Sequence, residues 1–257
     1  MDYKLLMNTA ILAGEIMLRS GAETYRVEDT INHILRTAHA ETVETFVLTT
    51  GIFATLDNPD IEAITVIRRV ESRGTNLNRI ASVNAISRKF CAGEMTLEEA
   101  YSCLRQIKGK QYRKMVYNLA TICLCAGFAP LFNGGVLEIA GAAIVGAVLA
   151  LIITIGKKIR IHGFIQDVIS SMGIALTAIF LKWHLPQMNM DTVIISSIMP
   201  LVPGVAITNA IRDTLQGDYL SGGARILEAF LTAAAVALGV AVAMAATGIF
   251  KPGGGLV

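Results

Sequence analysis

Charge is scarce in this sequence, and most of it sits near the front. Asp, Glu, Lys and Arg make up 16% of the 257 residues against a hydrophobic fraction of 53%, whereas an ordinary soluble chain is about 25% charged. The mean hydropathy of +0.56 points the same way. Before Lys114 the chain is rich in Arg, Lys, Glu and Asp, but from Met115 onward whole stretches such as Ala140 to Ile155 hold no charged residue. A soluble core helix keeps a polar stripe toward water, and Gly141 to Ile155 has none on any face. One solvent for the whole chain is excluded, and two are implied.

Other absences narrow the function. The sequence has no Walker loop, no H-E-x-x-H, no G-x-S-x-G and no Cys–His arrangement with supporting spacing, and His33 and His39 lie too far apart for one helical metal site. Neither an enzyme nor an ATP-driven pump is expected, and no cofactor or metal. Of the four cysteines, Cys123 and Cys125 point to different faces of a helix, and Cys91 and Cys103 lack a paired metal spacing, so free structural thiols are expected. A net charge of +2 is too small to imply nucleic acid. Met1 to Ser20 carries Asp2, Lys4, Glu15 and Arg19 where a cleavable signal peptide would be apolar.

What is present is a series of long apolar runs. A helix needs about 20 mostly apolar residues to cross a bilayer, and five stretches qualify: 115–132, 136–156, 164–182, 192–211 and 224–247. Turn chemistry separates them: Asn133-Gly134-Gly135, the basic run Lys157-Lys158-Ile159-Arg160, Pro186-Gln187 and Gly217-Asp218. Lys108, Lys110, Arg113 and Lys114 precede the first span, Lys157, Lys158 and Arg160 join the second to the third, and Arg212 and Arg225 flank the last loop. The opposite connections hold only Lys182 beside the membrane and Lys251 in the tail. The positive-inside rule then puts the N-terminus in the cytoplasm and the C-terminus outside.

The front of the chain reads as an α+β domain. Leu5, Thr9, Leu12 and Ile16 mark one helix, and Val27, Ile31, Ile34, Leu35 and Ala38 a second, with Ser20 placed to cap it and Glu23 to reach back. Thr42–Thr50, Ile52–Leu56 and Ile61–Val70 read as three antiparallel strands. Two helices follow, through Leu77, Ile80, Val83 and Phe90, and then from the Thr96-to-Glu99 capping box. The expectation is a multi-pass α-helical membrane protein of about five transmembrane helices, with a cytoplasmic α+β domain at 1–110 and a membrane domain at 111–257.

Two segments carry candidate function. Gly21 to Thr30 is the densest polar stretch, with Glu23, Arg26, Glu28 and Asp29, and a helix places Arg26, Asp29 and His33 on one face. That face either binds a partner, a small ligand or a pore mouth, or is a solvated surface of caps and i,i+3 charge pairs. The fourth span contains Pro200, Pro203 and Gly204 near its middle, so a continuous helix is not expected there. Broken helices at membrane depth line protein or water-filled cavities and mark substrate sites in secondary transporters, although a proline kink also serves plain packing. Ser196 and Ser197 lie just before the break, and Thr208 and Asn209 just after it.

Glu138, Asp167 and Glu228 are carboxylates in or beside the spans, each within about a turn of a helix end. Asp167 and Glu228 are candidates for proton coupling. Small residues, Ala140, Gly141, Gly146 and Ala147 in the second span and Ala233 to Ala237 with Gly239 in the fifth, allow close helix packing within a bundle or a homo-oligomer among membrane lipids.

Four motifs occur in order along the chain: Gly21-Ala22-Glu23-Thr24-Tyr25-Arg26-Val27-Glu28-Asp29, Thr49-Thr50-Gly51-Ile52, Arg73-Gly74-Thr75-Asn76-Leu77, and Pro200-Leu201-Val202-Pro203-Gly204 with Thr208-Asn209-Ala210-Ile211-Arg212-Asp213. In these the sequence resembles the threonine/serine exporter family. The resemblance implies a bacterial inner-membrane exporter of small metabolites driven by an ion gradient. It implies a second small multi-span membrane subunit as partner, because the chain resembles the larger subunit of a split, two-gene version. Split systems of this type are associated with dicarboxylates such as succinate. The resemblance also raises Glu23, Arg26 and Asp29, and Pro200, Pro203, Gly204, Asn209, Arg212 and Asp213, as site residues; Arg212 would meet a substrate carboxylate or serve as an anchoring arginine with a local acid partner. A membrane-anchored sensor or assembly factor with a ligand-binding cytoplasmic domain is the competing reading.

Overall fold

The computed structural model describes residues 2–59, 61–71, 74–107 and 112–248. Arg73, Lys108, Lys110 and Lys251, which carry parts of the sequence argument, lie outside the described residues, as does the expected boundary at 110/111.

Two helices open the chain, α1 (Tyr3–Arg19) and α2 (Thr24–Arg36). Asp2 starts α1 by accepting the Leu5 N–H at 2.9 Å. The expected capping of α2 by Ser20 does not form. Gly21 takes a left-handed conformation, φ +82°, which ends α1 at Ser20, and the Ser20 hydroxyl donates back to the Ile16 carbonyl at 2.6 Å. Glu23 is the residue at the α2 N-cap, and its side chain makes no capping bond. Ser20 therefore closes the first helix, and the Glu23 carboxylate is left for other partners.

The β-branched region forms three strands, β1 (Thr42–Leu48), β2 (Gly51–Asn58) and β3 (Ile61–Arg69), in an antiparallel meander of order β1-β2-β3. Strand alternation sends Ile52, Ala54 and Leu56 of β2 to one face, where they are buried with Leu6, Ile11 and Met17 of α1 and Ile31 and Leu35 of α2. Helices α3 (Leu77–Cys91) and α4 (Leu97–Gln106) complete this core through Val83, Phe90, Ala100 and Leu104. The Thr96–Glu99 capping box forms as the spacing requires, with bonds of 2.9 and 3.2 Å. Each fully buried Leu or Ile contributes roughly 1.5–3 kcal/mol, so this cluster holds the sheet to the helices.

The apolar part consists of α5 (Lys114–Phe128) with a 3-10 turn (Ala129–Phe132), α6 (Val136–Ile159), α7 (Gly163–His184), α8 (Met190–Ile198) with a 3-10 turn (Met199–Leu201), α9 (Gly204–Leu215) and α10 (Tyr219–Ala246). Four of these helices are long and apolar enough to cross a membrane, or five spans if Met190–Leu201 and Gly204–Leu215 count as one bent span. The fourth expected span is thus two helices. Pro200 falls inside the 3-10 turn, and Val202 and Pro203 leave the helical path before Gly204 restarts it.

The chain divides into two compact units, one of Met1–Gly109 with Gly204–Leu227 and the other of Lys110–Pro203 with Glu228–Val257. The N-terminal unit thus takes in α9 and the start of α10. The core of the second unit joins Cys125, Val145, Leu149, Ile174, Ala178, Met188 and Val193. Cys123, two positions from Cys125, is exposed, as helical geometry requires. Glu138 serves as a clamp here, accepting the Gly135 N–H at the start of α6 and the Asn189 N–H before α8, both at 2.8 Å.

Small residues set the helix spacing in this unit. A side chain at Gly146 would press on Cys125 Cβ at 3.0 Å. One at Gly239 would collide with Ser171 Oγ and the Val168 carbonyl of α7. Gly223, on the same helix as Gly239, has open space. Gly239→Ala is expected to lower the melting temperature of the detergent-solubilised protein, by an overpacking cost of about 1–3 kcal/mol. Gly223→Ala is expected to leave it unchanged or raise it, because Ala favours helix by up to about 1 kcal/mol over Gly.

Candidate functional site

Between α1 and α2 the backbone of Gly21 to Thr24 has left one helix and not yet entered the next. Its polar groups therefore need partners other than helix hydrogen bonds. In the N-terminal unit α9 and α10 supply them. Asn209 Nδ2 donates to the Gly21 carbonyl at 2.8 Å, and Arg225 Nη2 donates to the Ala22 carbonyl at 2.7 Å. The Thr24 N–H donates to Asp213 Oδ1 at 3.1 Å, and the Thr24 hydroxyl to Asp218 Oδ2 at 3.0 Å. Asn209, Arg212 and Asp213 are spaced i, i+3, i+4, so one face of α9 presents all three to the turn.

Glu23 is the electrostatic centre of the arrangement. Its side chain is 7% exposed and its two oxygens take different arginines, Oε1 accepting from Arg212 Nη1 and Oε2 from Arg26 Nη1 at 3.4 Å. Burial pushes the Glu23 carboxyl up, but hydrogen bonds from its own backbone N–H and from Arg212, with the charges of Arg26 and Arg212, bring it below the ordinary value. Behind it, Asp213 is fully buried and pairs with the buried Arg225, Oδ2 to Nε at 2.9 Å.

A cavity of about 480 Å³ opens at this point. Glu23, Arg26, Thr208, Asn209 and Arg212 give it polar walls, with Gly204 and Val205 at the start of α9 and Gly21 at the turn. Leu77 and Ile80 of α3 add apolar surface. The loop before α3 is tied to the same turn: the Gly74 and Asn76 N–H groups donate to the Arg19 and Ser20 carbonyls at 3.0 and 2.9 Å. Three segments distant in sequence therefore meet at one place.

The structure brings Glu23, Arg26, Gly204, Thr208, Asn209 and Arg212 to this cavity and sets Asp213 beside it on the Thr24 N–H. It does not bring the other expected residues there. Ser196, Ser197, Pro200 and Pro203 belong to the second unit; Ser196 Oγ donates back to the Thr192 carbonyl at 2.8 Å, and Ser197 is buried. Glu28 turns to the sheet and accepts the Val47 N–H at 2.8 Å. Asp29 is exposed and pairs with His33 at 3.1 Å, so the single face expected for Arg26, Asp29 and His33 resolves into two local pairs, Glu23–Arg26 and Asp29–His33. Asp167 is half-buried in α7 and Glu228 is exposed on α10, and neither lines the cavity. Among the described residues no group of three or more His, Cys, Asp or Glu could hold a metal ion.

Arg225, Thr24 and Asp218 also belong to the site, and no spacing in the sequence marks them. Arg225 reads from the sequence only as a basic flank of a loop. Its signal was burial: an arginine among the apolar residues of α10 requires an acid, and Asp213 supplies it.

Two outcomes follow from these charges. Arg225→Met strands a fully buried carboxylate and is expected to destabilise by about 3–5 kcal/mol, read by thermal denaturation. Adding Asp213→Asn, which keeps an acceptor for the Thr24 N–H, is expected to recover more than half of that loss. Glu28 differs in sign from Glu23. Burial raises its pKa, the Val47 hydrogen bond lowers it, and the charges of Asp218 and Asp213 raise it, leaving it above the ordinary value of 4.5. The folded chain holds this proton more tightly than the unfolded chain, so its contribution to stability falls as pH rises through the window between the two values. Glu28→Gln keeps an oxygen for Val47 and is expected to raise the melting temperature above that window, with the two proteins converging at acid pH.

A family model for threonine/serine exporters, ThrE, matches residues 8–247, a range that contains every residue of the cavity. A Mycobacterium tuberculosis protein named "Probable threonine/serine exporter" is 21% identical over 242 residues, covering 93% of this chain and 46% of its own. Proteins of Klebsiella aerogenes and Escherichia coli K12, each named "Probable succinate transporter subunit YjjP", are 27% and 25% identical, with 96% of this chain aligned to 96% and 97% of theirs. The chain thus spans about half the length of the mycobacterial relative and nearly all of the other two. No solved structure matches. Over nearly its full length, and through all the segments that build the cavity, the chain belongs to the threonine/serine exporter family.

Proposed function

We propose that this chain is the larger subunit of a secondary exporter that moves small metabolites, threonine or serine or a small dicarboxylate such as succinate, out across the bacterial inner membrane. The family match over residues 8–247 carries this reading. The names of the relatives supply the substrate classes, and the extent of the alignments supports a split system: full-length coverage of two proteins named as subunits, and half coverage of one longer protein. A second small multi-span membrane subunit is the partner. Residues 1–110 are the cytoplasmic domain and the C-terminus lies outside, as the distribution of Lys and Arg near the spans supports. The interrupted helix at Pro200–Gly204 is the element expected to change shape in a transport cycle. Asp167 and Glu228 remain the carboxylates proposed for proton coupling.

Efflux of threonine, serine and succinate from cells loaded with each compound tests the reading, with this chain expressed alone and together with its partner subunit. Accelerated efflux of at least one compound is expected in the paired strain, with little from either subunit alone. Unchanged efflux of all three in every strain overturns the proposal.

A further inference from the structure

We propose that the cavity between α2 and α9 is a binding site for the carboxylate of a small metabolite, with Arg212 and Arg26 as its ligands and Glu23 as the internal carboxylate that it displaces. The inference rests on the exporter reading for the ligand's size and source, but its geometry is independent of that reading.

The first argument is the chemistry already present. Glu23 is a carboxylate held between two guanidinium groups, one on each oxygen. The protein has therefore built the complex that a substrate carboxylate would form, using a side chain of its own. A guanidinium offers five N–H donors in a planar fork suited to carboxylates, and Glu23 engages one nitrogen of each. The Arg212 and Arg26 side chains are 55% and 42% exposed, whereas Glu23 is 7% exposed. The arginines can thus be reached by an incoming anion while Glu23 stays covered.

Charge balance gives the second argument. Two guanidinium groups face one carboxylate, leaving one positive charge in the cavity wall. The depressed pKa of Glu23 keeps that count through the neutral range. The first residues of α9, Gly204 and Val205, line the same space at the positive end of a helix of 12 residues. One carboxylate neutralises the site.

The third argument is the remainder of the wall. Thr208 and Asn209 offer polar contacts for a hydroxyl or an amino group, and Leu77 and Ile80 offer apolar contact for a short carbon skeleton. A volume of about 480 Å³ is within the ordinary range for small-molecule sites. Exchange of Glu23 for a ligand on Arg212 would remove a tie between the α1–α2 turn and α9 immediately beyond the Pro203 break. Occupancy of the cavity and the position of α9 are then linked by competition for one arginine.

The test is a binding titration on the full chain in nanodiscs, read by calorimetry, with acetate, threonine, succinate and threoninol, the last lacking a carboxylate. Binding of acetate and of threonine or succinate is expected, and threoninol is expected to give no response. Arg212→Met is expected to weaken the carboxylates by at least about tenfold, as for loss of a charged hydrogen bond. Glu23→Gln removes the competitor and is expected to tighten them, a gain that misfolding would not produce. Threonine strong and succinate weak would identify the zwitterion as the ligand, and the reverse the dicarboxylate; either upholds the carboxylate site. No response to any carboxylate at tens of millimolar, equal response to threoninol and threonine, or unchanged affinity in both variants overturns it. A chain that binds carboxylates but supports no efflux retains the site and removes the exporter reading instead.

Discussion

The buried pair Asp213–Arg225 is the constraint on which the rest of the N-terminal unit depends. An ionised carboxylate with no exposure is tolerated only when a countercharge and hydrogen bonds replace its water. Here the countercharge is Arg225 and the hydrogen bond comes from the Thr24 N–H. Arg225 in turn spends a second nitrogen on the Ala22 carbonyl. Two buried charges thus satisfy each other and, in the same geometry, the donor of one turn residue and the acceptor of another. A shift of α9 relative to the α1–α2 turn would break several of these bonds together, which gives the pairing a defined register rather than a loose apolar contact.

This arrangement explains why the helix is broken where it is. A continuous helix through 190–215 would place Asn209, Arg212 and Asp213 on one side of a span, where three polar groups need protein or water around them. Pro200 and Pro203 interrupt the hydrogen-bond ladder, and Gly204 begins a separate helix whose polar face finds the backbone of Gly21 to Thr24. The two prolines and the polar face of α9 are parts of one solution, although they are described by different local rules.

That division also marks how much was legible in the sequence. Local rules worked where the deciding partners were local: the three strands from β-branched runs, the Thr96–Glu99 box, and the break at two prolines. The role of Ser20 is not legible in its spacing, because it depends on whether Gly21 turns left-handed to end α1, and once it does the serine belongs to the helix before it. The pairing of Glu23 with Arg212 joins residues 189 positions apart, and no spacing rule connects them. The first motif admitted a solvated-surface reading and the second a packing kink with an anchoring arginine; neither carried the information that the other was its partner. Arg225 was legible only in retrospect, because a basic residue beside a span has an adequate explanation in topology until its burial is known.

Glu23 and Glu28 show how one short helix can hold two carboxylates in opposite electrical settings. They lie five residues apart, Glu23 at the N-cap of α2 with an extended backbone and Glu28 inside the helix, and they meet different partners. Burial pushes both carboxyls up; at Glu23 its own backbone N–H and two arginines outweigh it and hold the pKa below the ordinary value, whereas at Glu28 burial, joined by the charges of Asp218 and Asp213, outweighs the Val47 N–H and holds it above. The pKa of each carboxylate thus follows the partners that its own position meets, in two distinct settings. Asp213 belongs to both: it accepts the Thr24 N–H one residue from Glu23, and its charge raises Glu28.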